Sequence, residues 1–487
     1  MKFSSVASPL LSLARYLLAG LVGCVVAGCL FLAYLLEQRP ELSVWHLADL
    51  DQEFTASTGL TDFQQYLQLE DRLFRQLDEL VYAKVPVGRQ HAVDRYSRGS
   101  LADPNRWSEN WNRTFRLYSE TPRAGILMLH GLSDSPYSMR ALGQSLHRHG
   151  ATVVGLRIPG HGTTPSGLVG IAWQDMAAAV RLAVRHLEEM SGGMPIYVVG
   201  YSNGGALAME YVLATLDDPS LPNLSGVILL SPEIGVSPAA ALAVWQGRIG
   251  HALGLEKLAW NSLTPEYDPF KYGSFAVNAG DLAYLITQHL EQRLAELEEA
   301  GKLEELPPIL AFQSAVDATV TTSALVANLF NRLPGAGHEL VLFDINRRLE
   351  LSALLRQDPR TELEPLLGKG GRPFALTLVT NAGDDTNRVV AQRRAGGDTR
   401  ISRITPVGEW PLGVFSLSHV ALPFAPTDPV YGGPEAAASP GIQLGNLAPK
   451  GERNVLHVSG NDLLRLRWNP FFDYLESCVL QFTGLQD

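Results

Sequence analysis

Ser202 stands in Gly200-Tyr201-Ser202-Asn203-Gly204, a G-x-S-x-G sequence. The β-favouring run Ile196 to Val199 precedes it, and a stretch of mostly small residues opening on Gly204-Gly205-Ala206 follows. This context suits a tight strand-to-helix turn that lifts the serine Oγ above a sheet. The same turn sets the free amides and positive end of a helix beneath a reacting carbonyl. A serine nucleophile needs a histidine to take its proton, and the histidine needs a carboxylate to fix its tautomer and stabilise the imidazolium. His419 lies downstream in a turn-like setting, Phe415 to Pro423, while His289 sits in a helical stretch and His457 in Val455-Leu456-His457-Val458 is its main rival. Asp317 follows the apolar run Ile309 to Phe312 and is the preferred acid. Asp385, with Asp384 beside it, follows a second apolar run, Phe374 to Val379, and remains the alternative. Acyl transfer also needs two amide donors aimed at the developing oxyanion, each worth about 3–4 kcal/mol. The amides of Asn203 and of Leu132, which follows His130-Gly131, are the natural pair; His130 itself reads as structural.

These residues require a sheet to position them. Short apolar runs at 124–129, 151–156, 195–199, 226–230, 308–312 and 339–343 read as buried strands. Helical stretches at 138–149, 173–190 and 206–216 lie between the earlier ones. Such alternation predicts an α/β fold with a mostly parallel sheet flanked by helices. Residues 237–306 interrupt the alternation with helical spacing, Ile286, Leu290, Leu294 and Leu297 marking one face, and read as a helical cap. Leu253, Leu255, Leu258 and Trp260 in it are candidates for an apolar acyl site or for packing within the cap. The expected organisation is an amino-terminal anchor over 1–40, an extension over 41–112, a first core segment over 113–236 and the cap. A second core segment over 307–346, an insertion of open role over 347–400 (separate or part of the sheet) and a last core segment over 401–487 follow. In the extension, Leu67, Leu73, Leu77 and Leu80 fit one helical face loosely.

The uncharged run Tyr16 to Leu36 is long enough to cross a hydrocarbon core, which takes about 20 residues as a helix. It predicts a single transmembrane helix. Lys2 and Arg15 before it favour a cytoplasmic amino terminus and a body on the exported, periplasmic or extracellular, side. Leu21-Val22-Gly23-Cys24 and Val26-Ala27-Gly28-Cys29 also resemble lipoprotein cleavage boxes, and a cleaved signal is the other rival. Across the 487 residues, 46% are apolar and 18% charged, with a formal net charge of -11. That balance excludes a disordered chain and, with no Lys/Arg cluster, a nucleic-acid binder. Three cysteines make no disulfide framework. No H-E-x-x-H pattern suggests a metal, and no cofactor is expected.

With these pieces in place the chain resembles the α/β-hydrolase family, especially its monoacylglycerol-lipase and carboxylesterase branch. The resemblance rests on Leu129-His130-Gly131-Leu132, on Arg157 to Pro165, on the turn around Ser202, on Asp317-Ala318-Thr319-Val320 and on Ser418-His419. It spans about 125 to 425. It implies Ser202, Asp317 and His419 as a triad, Leu132 and Asn203 as oxyanion donors, and a cap over an acyl pocket. The separation of Asp317 from His419 is longer than the family's usual one, which keeps Asp385 open. The expected activity is hydrolysis of carboxylic esters, plausibly of lipids or acylglycerols given the anchor. Alternatives on the same fold are a thioesterase or acyltransferase and a peptidase; a membrane-tethered binding module is the non-enzyme alternative.

Overall fold

The structure, a computed structural model, describes residues 7–235, 256–317, 319–335, 337–348, 355, 358–361, 364, 372–412, 414–445 and 464–486. Its strands are β1 (Phe115–Leu117), β2 (Ala124–Leu129), β3 (Ala151–Leu156), β4 (Ile196–Tyr201), β5 (Gly226–Leu230), β6 (Trp260–Ser262), β7 (Phe275–Ala276), β8 (Ile309–Ser314), β9 (Glu339–Phe343), β10 (Ala375–Asn381), β11 (Arg388–Arg394), β12 (Arg403–Glu409), β13 (Val414–Leu417) and β14 (Leu464–Leu466). The longer helices are α1 (Ala7–Glu37), α2 (Phe63–Leu77), α3 (Arg140–Arg148), α4 (Trp173–Ser191), α5 (Asn203–Thr215), α6 (Val277–Glu299) and α7 (Phe472–Phe482).

A 10-stranded sheet has the order β1-β3-β2-β4-β5-β8-β9-β10-β11-β12. From β3 across to β10 every pairing is parallel. β1 at one edge and β11 and β12 at the other pair antiparallel. The apolar runs are buried on both faces because successive side chains alternate between two cores. Leu127, Leu129, Val198 and Leu229 pack with α4, α5 and α6, whereas Ile126, Met128, Val199 and Ile228 pack with α3 and α7. In α6 the expected face is buried, Ile286, Leu290, Leu294 and Leu297 included, and it joins the first of these cores. The helix packs on α5 and, to a lesser extent, α4. Leu253 and Leu255 lie outside the described residues. Leu258 and Trp260 are buried, and Trp260 packs against the extension, edge-on to His46 at 4.8 Å.

The long interval between Asp317 and His419 has a structural cause. After β9 the chain leaves the sheet's centre, adds β10, β11 and β12 to its edge, and returns as β13. Thus β10 and β11, within the 347–400 span, are sheet strands. The excursion closes on Asn346, which is buried. Its backbone N–H donates to the Phe415 carbonyl at 2.7 Å and its Nδ2 to the Val414 carbonyl at 3.0 Å. Its Oδ1 accepts from Asn381 Nδ2 at 3.0 Å. One residue thereby ties departure, return and the end of β10 together, the return contact at Phe415 lying three residues before Ser418.

At the amino terminus α1 runs through the uncharged segment, with Leu17, Leu21, Val25 and Phe31 exposed. Among the described residues, some side chains of this helix being outside them, no helix is long and apolar enough to cross a membrane. The end of the helix is tied to the body by Arg39 Nη1, which donates to the carbonyls of Lys257 (2.8 Å) and Trp260 (2.6 Å).

Asn346→Leu strands a buried carbonyl and a buried amide. It is expected to lower unfolding free energy by about 2–4 kcal/mol. Thermal or urea unfolding checks this; an unchanged midpoint removes Asn346 as the stem.

Candidate active site

Strand β4 ends in Tyr201, and Ser202 follows with φ 52° and ψ -116° before α5 begins. A non-glycine residue at such φ is strained. Its backbone is held by four bonds: its N–H donates to Leu230 O (2.9 Å), and its carbonyl accepts from Gly205 N (2.9 Å), Glu233 N (3.0 Å) and Ala206 N (3.3 Å). The glycines of the motif are sterically required. A Cβ at Gly200 would lie 2.3 Å from the Gly204 carbonyl oxygen, and one at Gly204 would lie 2.3 Å from that of Leu129. Ser133, beyond β2, and Ser231, beyond β5, also have positive φ (61° and 43°). All three follow the carboxyl ends of neighbouring strands, where strain accompanies function in many folds.

His419 follows β13. Its Nε2 lies 3.0 Å from Ser202 Oγ and its Nδ1 lies 2.8 Å from Asp317 Oδ2. Asp317 is buried in the loop after β8. Its Oδ1 accepts from the amides of Thr319 (2.8 Å) and Val320 (3.1 Å), and Gln313 Nε2 donates to Oδ2 at 3.2 Å. A carboxylate only accepts, so the hydrogen-bond network puts the imidazole hydrogen on Nδ1 and leaves the Nε2 lone pair for the serine hydroxyl. Asp384 and Asp385 are exposed in the turn between β10 and β11, so the structure brings Asp317, and not Asp385, to His419. His457 lies outside the described residues.

The amides of Leu132 and Asn203 flank the serine from the loop after β2 and the first turn of α5. Among the described residues neither donates to another group. His130 determines how the first is presented. Its Nε2 accepts from the Ile158 amide at 3.1 Å, so its Nδ1 carries the hydrogen and donates to the Gly131 carbonyl at 2.9 Å. That carbonyl and the Leu132 N–H belong to one planar peptide and point in opposite directions. Fixing the carbonyl therefore aims the amide. Burial, then the neighbouring His161, push the His130 pKa well below its ordinary value, which keeps the ring neutral in this double role.

Two acids beside these groups carry no spacing signal and were not identified from sequence. Glu233 is buried and accepts from Asn203 Nδ2 at 3.2 Å, and burial raises its pKa. Asp134, two residues past Leu132, is buried with Lys271 Nζ 3.8 Å away; burial raises its pKa to about 6 despite that cation. Sequence position near the turn after β2 was the only available hint.

The matching family model is described as serine aminopeptidase, S33 (Hydrolase_4), and covers residues 120–345. The fold is that of the α/β-hydrolases. Among curated proteins, the thermostable monoacylglycerol lipase of Bacillus sp. (strain H-257) is 27% identical over 125 residues, 26% of this chain. The chain spans about half, 47%, of that relative's length. Among solved structures, one reported with the metagenome-derived lipolytic enzymes LipS and LipT is 25% identical, covering 48% of this chain and 87% of its own with a TM-score of 0.37. The soluble variant of the Saccharomyces cerevisiae monoglyceride lipase is 14% identical, covering 47% and 82%, also at 0.37. The Paleococcus ferrophilus monoacylglycerol lipase is 18% identical, covering 48% and 89%, at 0.36.

The raised Asp134 pKa has a definite sign. Between about pH 4 and 6 the folded chain holds a proton that the unfolded chain releases, so this group lowers stability as pH rises through that window. Asp134→Asn removes the effect. Its stability relative to wild type is expected to improve by about 1–3 kcal/mol from pH 4 to pH 8. Urea unfolding at the two pH values checks this, and a pH-independent difference contradicts it.

Proposed function

We propose that the chain is a membrane-anchored serine hydrolase that cleaves carboxylic esters, with lipid or acylglycerol esters as its substrate class. The observation that supports the chemistry is the continuous hydrogen-bonded series Ser202 Oγ, His419, Asp317, at 3.0 and 2.8 Å. In the proposed reaction His419 Nε2 takes the Ser202 proton as Oγ attacks the ester carbonyl. The tetrahedral oxyanion is held by the Leu132 and Asn203 amides. Collapse breaks the ester C–O bond, the alcohol leaves with the proton from His419, and an acyl-serine forms. Water, deprotonated by His419, then attacks the acyl-serine; the acid departs and Ser202 recovers its proton. Asp317 holds the imidazole tautomer and stabilises the imidazolium throughout.

The lipid assignment is supported by the local similarity to a protein named as a monoacylglycerol lipase and by the proposed anchor. The anchor reading is supported by the uncharged run from Tyr16 to Leu36 and the exposed apolar side chains of α1. Lys2 and Arg15 ahead of it favour the exported side for the body. A second reading, a peptidase, is favoured by one observation, the description of the matching family model as a serine aminopeptidase.

The test uses the full chain with a fluorophosphonate probe, p-nitrophenyl esters of graded chain length and aminoacyl p-nitroanilides. Labelling and ester turnover that vanish in Ser202→Ala are expected. Asp317→Asn should cost roughly 10³–10⁴ in kcat, while Asp385→Asn should stay near wild type; the reverse pattern moves the acid to Asp385. Anilide turnover well above ester turnover replaces the esterase reading with the peptidase one, and folded protein that is never labelled leaves a binding module. In a separate experiment the full chain should stay with membranes through alkaline carbonate washing, and a chain lacking residues 1–38 should be released. Release of both ends the anchor proposal.

A further inference from the structure

Residues 41–112 precede the sheet and take no part in the series above, yet they reach the oxyanion loop through a buried cation. Arg157, immediately after β3, is 1% exposed. Glu53 of the extension grips its guanidinium with both oxygens, Oε1 to Nη2 at 2.9 Å and Oε2 to Nη1 at 3.0 Å. Glu70, buried on α2, accepts from Arg157 Nε at 3.1 Å. Tyr66, one turn earlier on α2, donates to the Arg157 carbonyl at 2.5 Å. The grip extends along the loop. Glu53 Oε2 also accepts from the Gly160 amide at 2.9 Å, and Arg157 Nη1 donates to the His161 carbonyl at 3.0 Å. Glu70 Oε2 further accepts from Thr114 Oγ1 at 2.8 Å, which in turn accepts from the Arg157 amide at 3.0 Å.

Between the gripped Arg157 and Gly160 lies Ile158. Its amide donates to His130 Nε2, and His130 Nδ1 donates to the Gly131 carbonyl that sets the Leu132 N–H. Glu53 is thus joined to the proposed oxyanion donor by directional hydrogen bonds and the short backbone segments between them. We propose that Glu53, Tyr66 and Glu70 are positioning residues: the extension fixes the Arg157–His161 loop so that His130 aims the Leu132 amide at the reacting carbonyl oxygen. The proposal rests on the serine-hydrolase reading of the site. Under it the extension contributes to transition-state stabilisation and not to ground-state binding, because the oxyanion exists only in the former.

The experiment compares full-length wild type, Glu53→Gln, Glu70→Gln and Tyr66→Phe. Tyr66→Phe removes one hydroxyl and Glu53→Gln keeps the shape, so these two decide the question should Glu70→Gln fail to fold. Three quantities are read: kcat, KM, and the affinity of a trifluoromethyl ketone that adds to Ser202 and forms an oxyanion. Expected is a fall of roughly tenfold or more in kcat for Glu53→Gln, part of the 10²–10³ lost when an oxyanion donor is removed outright. A smaller fall is expected for Tyr66→Phe. KM should stay within about twofold and ketone affinity should fall in parallel with kcat/KM. Folded variants with unchanged kcat and ketone affinity overturn the proposal, as does a loss confined to KM. Wild-type protein that fails to label at Ser202 instead refutes the hydrolase reading, so the two failures are distinguishable.

Discussion

Ser202 can stand where it does only because its backbone is locked at a φ that side chains avoid. A residue held there costs about 1–3 kcal/mol and persists only where its surroundings over-determine it. Here they do. Leu230 accepts its N–H, Gly205 and Glu233 donate to its carbonyl, and the neighbouring glycines let the chain pass within contact distance of Leu129 and of itself. With Oγ fixed, the remaining groups have little freedom. A histidine must arrive 3 Å from Oγ, a carboxylate must stand behind that histidine, and free amides must converge from the next strand's loop. Parallel strands meet these needs because their carboxyl ends, and the loops after β2, β4, β5 and β8, lie on one edge.

Much of this was legible in the sequence, for a physical reason. Strands buried on both faces leave uninterrupted apolar runs, and each run expected at 124–129, 151–156, 195–199, 226–230, 308–312 and 339–343 falls on a strand of the sheet, with bounds that agree within two residues. Ser202, Asp317 and His419 could be picked out because each follows such a run or sits in a turn. The last two strands of the sheet, β11 and β12, were not legible. Arg388 to Arg394 and Arg403 to Glu409 are polar and partly or largely exposed, β12 carries Pro406, and their pattern is that of a loop. The outermost strand, β12, tolerates such residues because its far side has no strand partner among the described residues. Missing these strands made the Asp317–His419 interval look like a reason to keep Asp385 open as the acid. In the structure the interval is an excursion that leaves and re-enters at Asn346, so its length does not alter where His419 lies.

The extension shows the opposite limit. Its helical spacing suggested a face of Leu67, Leu73, Leu77 and Leu80. The buried face of α2 holds Leu73 and Leu77 but also Tyr66, Leu69, Phe74 and the acidic Glu70. A glutamate on an amphipathic helix reads as a solvated residue until its partner is known. That partner is Arg157, 87 residues away, and the second carboxylate on it is 104 residues away. No local pattern encodes a contact of that range.

Burying Arg157 with two carboxylates is a poor way to gain stability, since the desolvation cost of such groups rivals their attraction. Its geometry serves orientation better. A guanidinium with three of its donors committed to Glu53 and Glu70 cannot swing, and the backbone on either side of Ile158 is pinned with it. The charge has a further consequence next door. His130 can accept from Ile158 only while its ring is neutral. Burial and His161 depress its pKa, and the Arg157 cation lowers it again. The carboxylates keep that cation in place without themselves meeting the ring. The arginine thus acts on the oxyanion loop twice: it fixes the Ile158 amide that His130 must accept from, and it opposes the protonation that would turn this acceptor into a donor.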